Sequence, residues 1–208
     1  RQLKNLQFLH LDKTKIGDEG LNHLRQLKIL THLYLDETKI TNDGMQSIGQ
    51  LPNLVELSLN GTDVNDEGLS HLVKLKNLLI LKLNNTPLTD AGIVHLIGMK
   101  QLAWIELNGT QITDIGLEQF RKWKKPFQLS LSGTQITDEG LSHLAQLTEM
   151  NDLDLANTNI TDSGLQHLAL LKELHFLDLS NTKVTLAGVN QLQKSLPECH
   201  ITMTHLRK

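Results

Sequence analysis

Leu78-Leu79-Ile80-Leu81-Lys82-Leu83-Asn84-Asn85-Thr86-Pro87-Leu88-Thr89-Asp90-Ala91-Gly92-Ile93 is the stretch that decides the fold. Moved by 24 residues in either direction, it meets its own pattern again. One column reads Thr14, Thr38, Thr62, Thr86, Thr110, Thr134, Thr158 and Thr182. Another reads Gly20, Gly44, Gly68, Gly92, Gly116, Gly140, Gly164 and Gly188, so eight units keep step without an insertion. A fixed period of this length marks an array in which each unit packs chiefly on its neighbours.

The period changes inside each unit. Leu81-x-Leu83 alternates, as a short strand with one buried face does. Past Thr86 and Leu88 come Thr89-Asp90-x-Gly92 and then apolar residues at helical spacing, Ile93, Leu96 and Met99. Thr89 is placed to cap that helix, and Asp90 sets a carboxylate at the positive end of its dipole. Each unit therefore reads strand, turn, short helix, return. A single unit cannot bury its leucines, so units are expected to stack, strands in one parallel sheet and helices along the other flank.

The motif Leu-x-x-Leu-x-Leu-x-x-Thr, carried by Leu54, Leu57, Leu59 and Thr62, resembles the leucine-rich repeat family, and the resemblance runs over essentially the whole chain. That family usually carries Asn or Cys where this chain carries Thr. The second half of the unit, as in Ile136, Thr137, Asp138, Gly140 and Leu141, resembles the cysteine-containing repeats of F-box proteins and related tandem repeats of bacterial proteins. The resemblance implies an α/β solenoid of about eight repeats, curved, with a concave parallel sheet and convex short helices. Residues 1–208 are expected to form one such domain. Leu3 falls in the column of Leu27, so the chain is expected to begin in the tail of a preceding repeat. Residues 193–208 are expected to form a C-terminal cap with a last strand whose Ile201 and Met203 point inward.

Composition narrows the function classes. Leu accounts for 44 of the 208 residues, whereas aromatic residues make up 3%. A net charge of -3 and a pI near 6.4 argue against nucleic acid as a partner, since phosphates need a basic face. Apolar runs are short, as at Leu78–Leu81, against the ~20 residues that span a bilayer, so no membrane insertion is expected. The lone Cys199 rules out an internal disulfide framework and a multi-cysteine zinc site. Cys199 and His200 are adjacent and would face opposite sides of a strand, which separates a nucleophile from its base. Neither a Gly-x-Ser-x-Gly elbow nor a phosphate-cradling glycine loop is present. Neither enzymatic activity nor a cofactor is expected. The missing cysteine-rich caps favour a cytoplasmic setting over an extracellular one.

The recurring polar columns have structural readings. The Thr hydroxyls are expected to bond backbone groups where each strand turns away. The acidic column Asp18, Asp66, Asp90, Asp114, Asp138 and Asp162 fits helix-cap chemistry rather than a row of metal ligands, and Leu186 ends it. His23, His71, His95, His143 and His167 share one column, too far apart along the stack to converge on zinc at its usual ~2.0–2.1 Å. The Asn-x-Thr triplets at Asn60, Asn84 and Asn108 follow from the turn itself. In unit five, Phe120 and Trp123 replace smaller apolar residues, and Arg121, Lys122, Lys124 and Lys125 run up to Pro126, as a helix C-terminus and its stop would.

Function enters where units disagree. The column before the first strand leucine reads Phe8, His32, Glu56, Ile80, Trp104, Gln128, Asp152 and Phe176. The column between the leucines reads His10, Tyr34, Ser58, Lys82, Glu106, Ser130, Asp154 and Asp178. Both face the concave side, and neighbouring units bring column members within about 4.8 Å. Three candidate patches follow: an aromatic and imidazole cluster of Phe8, His10, His32 and Tyr34; a centre of Ile80, Lys82, Trp104 and Glu106, with Lys82 and Glu106 as a cross-strand ion pair; and an end of Asp152, Asp154, Phe176 and Asp178. Aromatic side chains held outside the core are the ones that anchor protein interfaces. The expected function is a non-catalytic scaffold that binds a partner protein on its concave sheet. The alternative is the substrate-recognition part of a larger assembly, such as an F-box-type ubiquitin-ligase adaptor or a bacterial effector. A monomer is expected unless the open N-terminal end pairs.

Overall fold

The computed structural model describes Leu3 and residues 5–204. Nine short parallel strands lie side by side in chain order: β1 Phe8–His10, β2 His32–Tyr34, β3 Glu56–Ser58, β4 Ile80–Lys82, β5 Trp104–Glu106, β6 Gln128–Ser130, β7 Asp152–Asp154, β8 Phe176–Asp178 and β9 His200–Thr202. Each pairs with the next in a register offset of one unit, Phe8 with His32 and onward to Phe176 with His200. Between them run α1 Asp18–Asn22, α2 Asn42–Ile48, α3 Asp66–Ser70, α4 Ile93–Gly98, α5 Asp114–Phe120, α6 Asp138–Leu144, α7 Asp162–Leu168 and α8 Leu186–Gln193. Among the described residues, no helix is long and apolar enough to cross a membrane.

The leucine excess becomes one continuous core. Leu33, Leu57, Leu81, Ile105, Leu129 and Leu153 in mid-strand are fully buried, and Leu21, Leu69, Leu117 and Leu141 meet them from the helices. Phe120 is the largest fully buried side chain, and the Trp123 indole lies edge-on to it at 5.5 Å and donates to Leu102 O at 2.7 Å. The unit-five aromatics are therefore core. In the last unit Ile201 of β9 and Met203 just after it pack on the core. Residues 205–208 of the expected cap lie outside the described residues.

The Thr column behaves as expected. Thr38 Oγ1 donates to Leu35 O at 2.6 Å, and Thr14, Thr62, Thr86, Thr110, Thr134, Thr158 and Thr182 repeat the bond, satisfying a carbonyl at the end of each strand. The residue before each Thr sits in the left-handed region: Lys13, Glu37, Gly61, Asn85, Gly109, Gly133, Asn157 and Asn181. Gly and Asn dominate that column because they tolerate positive φ most cheaply.

The Asp column does more than the cap role expected of it. These carboxylates stand in the first helical turn, but their hydrogen bonds go to the following unit. Asp114 Oδ1 accepts from Thr137 N at 2.8 Å and Oδ2 from Thr137 Oγ1 at 2.6 Å. Asp18 to Thr41, Asp66 to Thr89, Asp90 to Thr113, Asp138 to Thr161 and Asp162 to Thr185 repeat the bridge. Each of these Thr hydroxyls spends its hydrogen on the carboxylate and a lone pair on its own helix, as Thr137 does for Glu139 N. One junction is built differently. Asn42 replaces Asp, Asn65 replaces Thr, and the pair bonds amide to amide, Asn42 Nδ2 to Asn65 Oδ1 at 2.8 Å and Asn65 N to Asn42 Oδ1 at 3.0 Å. The Gly column exists to let this happen: a Cβ at Gly116, Gly140 or Gly164 would meet the Oδ1 of Asp90, Asp114 or Asp138.

Candidate functional site

Because the strand leucines point inward, the two flanking residues of every strand stand on the concave face. All twelve side chains singled out from the sequence are there, in the order the register dictates. At the N-terminal end Phe8 stacks on His32 at 4.2 Å between centroids, and His10 stacks on Tyr34 at 4.1 Å with the rings 8° from parallel. Phe8 remains 55% exposed.

The centre is a connected polar network rather than one ion pair. Lys82 Nζ lies 3.3 Å from Glu56 Oε1 and 3.9 Å from Glu106 Oε1, and 5.4 Å from the centroid of the Trp104 ring. The expected Lys82–Glu106 contact is thus the longer of two. Burial, and then the nearby Glu56 carboxylate, push the Tyr34 hydroxyl above the ordinary tyrosine value. Asn84 Nδ2 donates to Glu106 Oε2 at 2.6 Å. The network joins the aromatic end to Trp104 and holds these side chains in place. The Trp104 indole N–H is buried and has no hydrogen-bond partner among the described residues.

At the far end, Asp154 and Asp178 face each other across β7 and β8. Their placement has a scaffold reason that follows from the column after each strand. Asp12 Oδ1 accepts from Asp36 N, Asp36 from Asn60 N, Asn60 from Asn84 N, Asn84 from Asn108 N and Asn108 from Ser132 N. The asparagines in that column are the rungs of this ladder, not mere by-products of the turn. Ser132 and Ala156 are too short to continue it. There Asp154 Oδ1 accepts from Ala156 N at 2.9 Å and Asp178 Oδ1 from Ser180 N at 2.8 Å, so each strand carboxylate satisfies the N–H of its own turn.

Asp152 makes no such bond. Burial pushes its carboxyl above the ordinary value. Asp154 is raised first by burial and then by Asp178, Asp152 and Glu106, against the Ala156 N–H, which lowers it. A carboxyl whose pKa is raised on folding contributes stability below the ordinary carboxylate range and loses it as pH rises through the folded value. Asp152→Asn is therefore expected to raise the melting temperature at neutral pH, with the gain vanishing once the medium is acidic enough to protonate Asp152 in both states. A melting series over pH measures this, and a uniform gain or loss across the series contradicts it.

The three acids, Phe176, Ser130 and Thr202 line an open depression of about 310 Å³, whose far wall is His200. Glu56, His200 and Thr202 were not among the sequence candidates. Glu56 was legible as the acid diagonal to Lys82, and His200 and Thr202 become visible once the two columns are extended to β9. A hollow of about 400 Å³ also lies on the helical side between α7 and α8, around the Asp162–Thr185 bridge, and the one charged group lining it is already bonded.

The histidine column does not converge. His23 is exposed, and His71, His95, His143 and His167 are half-buried, one per unit. Among the described residues no group of three His, Cys, Asp or Glu side chains is arranged to hold a metal ion. Cys199 is buried and its thiol is pushed up to about 11, chiefly by burial, while His200 beside it is exposed on β9.

A stack of like strand–helix units with a parallel sheet of varied side chains on its inner face defines a repeat solenoid. The Leucine Rich repeat family profile matches residues 2–24, 21–49, 50–73, 128–145 and 147–169. The chain belongs to the leucine-rich repeat family. Among solved structures it is similar to internalin C2 from Listeria monocytogenes str. 4b F2365, with a TM-score of 0.75 and 25% identity, over 95% of this chain and 80% of that one. Internalin F from the same strain shares the fold with a TM-score of 0.71 and 24% identity, over 99% of this chain and 62% of that one. A search of curated proteins returned no match.

Proposed function

We propose that the chain is a non-catalytic scaffold that recognises a partner protein on its concave sheet. The leucine-rich repeat fold and its internalin neighbours suggest an interaction scaffold. The observation that carries the concave site is the preformed array at its middle, Tyr34, Glu56, Lys82, Glu106 and Trp104, flanked by the exposed rings of Phe8 and Phe176. Side chains already fixed by their neighbours lose little freedom on binding, and aromatic anchors carry most of the energy of an interface. The unpaired indole N–H of Trp104 supports the same reading, since a modest ring movement toward a partner's acceptor relieves the cost of leaving it unbonded.

The test is affinity capture with the full-length protein, comparing wild type with the Tyr34→Ala/Trp104→Ala double variant. Loss of the same set of partners is expected, with affinity for each lowered by about thirtyfold or more, the loss that removing a hot spot brings. Circular dichroism must show the variant folded. An identical partner list and unchanged affinities would refute the concave site.

A further inference from the structure

The concave face is electrostatically one-sided. Its strand positions carry Glu56, Glu106, Asp152, Asp154 and Asp178 against Lys82 alone, a balance of -4. The acids are also unequally engaged. Glu56 and Glu106 share Lys82, whereas no cationic group among the described residues lies within ion-pair distance of Asp152, Asp154 or Asp178. These three border the depression that Ser130 and Thr202 keep open by being short, with Phe176 as its apolar wall, 53% exposed.

We propose that the concave face docks a basic protein segment, one Lys or Arg of which seats among Asp152, Asp154 and Asp178 with its aliphatic stem against Phe176. This rests on the reading of the concave sheet as the binding surface and adds the chemistry of the partner. Charge complementarity carries the step: a face that sets five acids against one lysine steers cationic surfaces toward itself and rejects acidic ones. Long cationic side chains lay their stems on apolar surface while the head group meets carboxylates, and the depression offers both contacts. Asp154 directly opposite Asp178 is an unfavourable like-charge pair in the free protein, and a seated cation relieves it. Scaffold bonds account for Asp154 and Asp178, but among the described residues no scaffold bond uses the Asp152 carboxylate.

Fluorescence anisotropy with three labelled extended peptides tests this, the peptides differing only in carrying Arg, Gln or Glu at the same positions. The Arg peptide is expected to bind most tightly, with an affinity that falls as salt rises. Asp152→Asn/Asp154→Asn/Asp178→Asn is expected to weaken it by at least about tenfold. Asn keeps the carbonyl that accepts from Ala156 N and Ser180 N, so the turns survive, and Asp152→Asn alone, which touches no scaffold bond, is expected to weaken binding several-fold. Glu67→Gln/Glu118→Gln/Glu139→Gln removes the same charge from the helical side and is expected to leave affinity within about twofold, because distant surface charges are screened. Equal weakening by the two triple variants, or an Arg peptide that binds no better than the Gln peptide, overturns the proposal. A protein that loses its captured partners through Tyr34→Ala/Trp104→Ala yet shows no preference for the Arg peptide keeps the concave site and loses only the basic partner.

Discussion

Phe120→Ala is expected to cost about 3–5 kcal/mol, the range for emptying a fully buried aromatic site. Phe120 is the largest fully buried side chain, and its removal also strips the Trp123 indole of its edge-on neighbour. Both rings replace smaller residues of other units, so no neighbouring side chain is long enough to fill the gap. Because each unit contacts mainly the next, the damage sits at one place in a one-dimensional array. Thermal unfolding followed by circular dichroism should show a melting temperature lower by roughly 6–20 °C, on the scale of about 2–4 °C per kcal/mol for a chain of this length. The control is Phe127→Ala, at a ring 51% exposed, which should cost no more than about 0.5 kcal/mol. Equal losses at the two sites would mean that unit five is not packed as described.

Asp114→Ala is expected to cost about 3 kcal/mol, because it strands two donors of Thr137 that share a charged acceptor. Asp114→Asn alone should recover only part of this, since an amide cannot accept from both the Thr137 N–H and its hydroxyl without turning an N–H toward one of them. The chain itself supplies the repair. Asn42 and Asn65 show that an amide works when its partner is also an amide. The double variant Asp114→Asn/Thr137→Asn should therefore be more stable than the sum of its single variants, with a favourable coupling of about 1 kcal/mol. A double-mutant cycle by urea denaturation measures it. Additive single effects would show that the junction depends on something other than this hydrogen-bond pairing.

The strands were legible in the sequence almost to the residue, and the reason is mechanical. A unit of constant length leaves no freedom of register, so once Leu81-x-Leu83 is a strand, Phe8 must lie beside His32 and Asp154 beside Asp178. What faces the concave side followed from the alternation. The inter-unit bonds were not legible from spacing alone. Asp114 looks like a residue of its own helix, and only the stack brings Thr137 to its carboxylate. A trace of the pairing was nevertheless present, since Asn42 and Asn65 depart from their columns together. The scaffold role of Asp154 and Asp178 likewise required comparing two columns, because it arises from the short Ser132 and Ala156 rather than from the acids themselves. Register alone sets Lys82 against Glu106, directly opposite, whereas the long side chain reaches the diagonal Glu56 more closely.

The bridges between units run one way, from a carboxylate to the hydroxyl that follows it in the chain, and they work as keyed connectors. The chief hazard of a repetitive chain is slippage, in which a unit docks on the wrong neighbour and still buries its leucines. A single odd key limits that hazard. Asn42 mates properly with Asn65 and would meet a hydroxyl at any other junction, while Asp18 facing Asn65 would set a carboxylate against an amide carbonyl. Two asparagines thus act as an address within an otherwise uniform array, fixing which unit is third by chemistry that hydrophobic packing cannot supply.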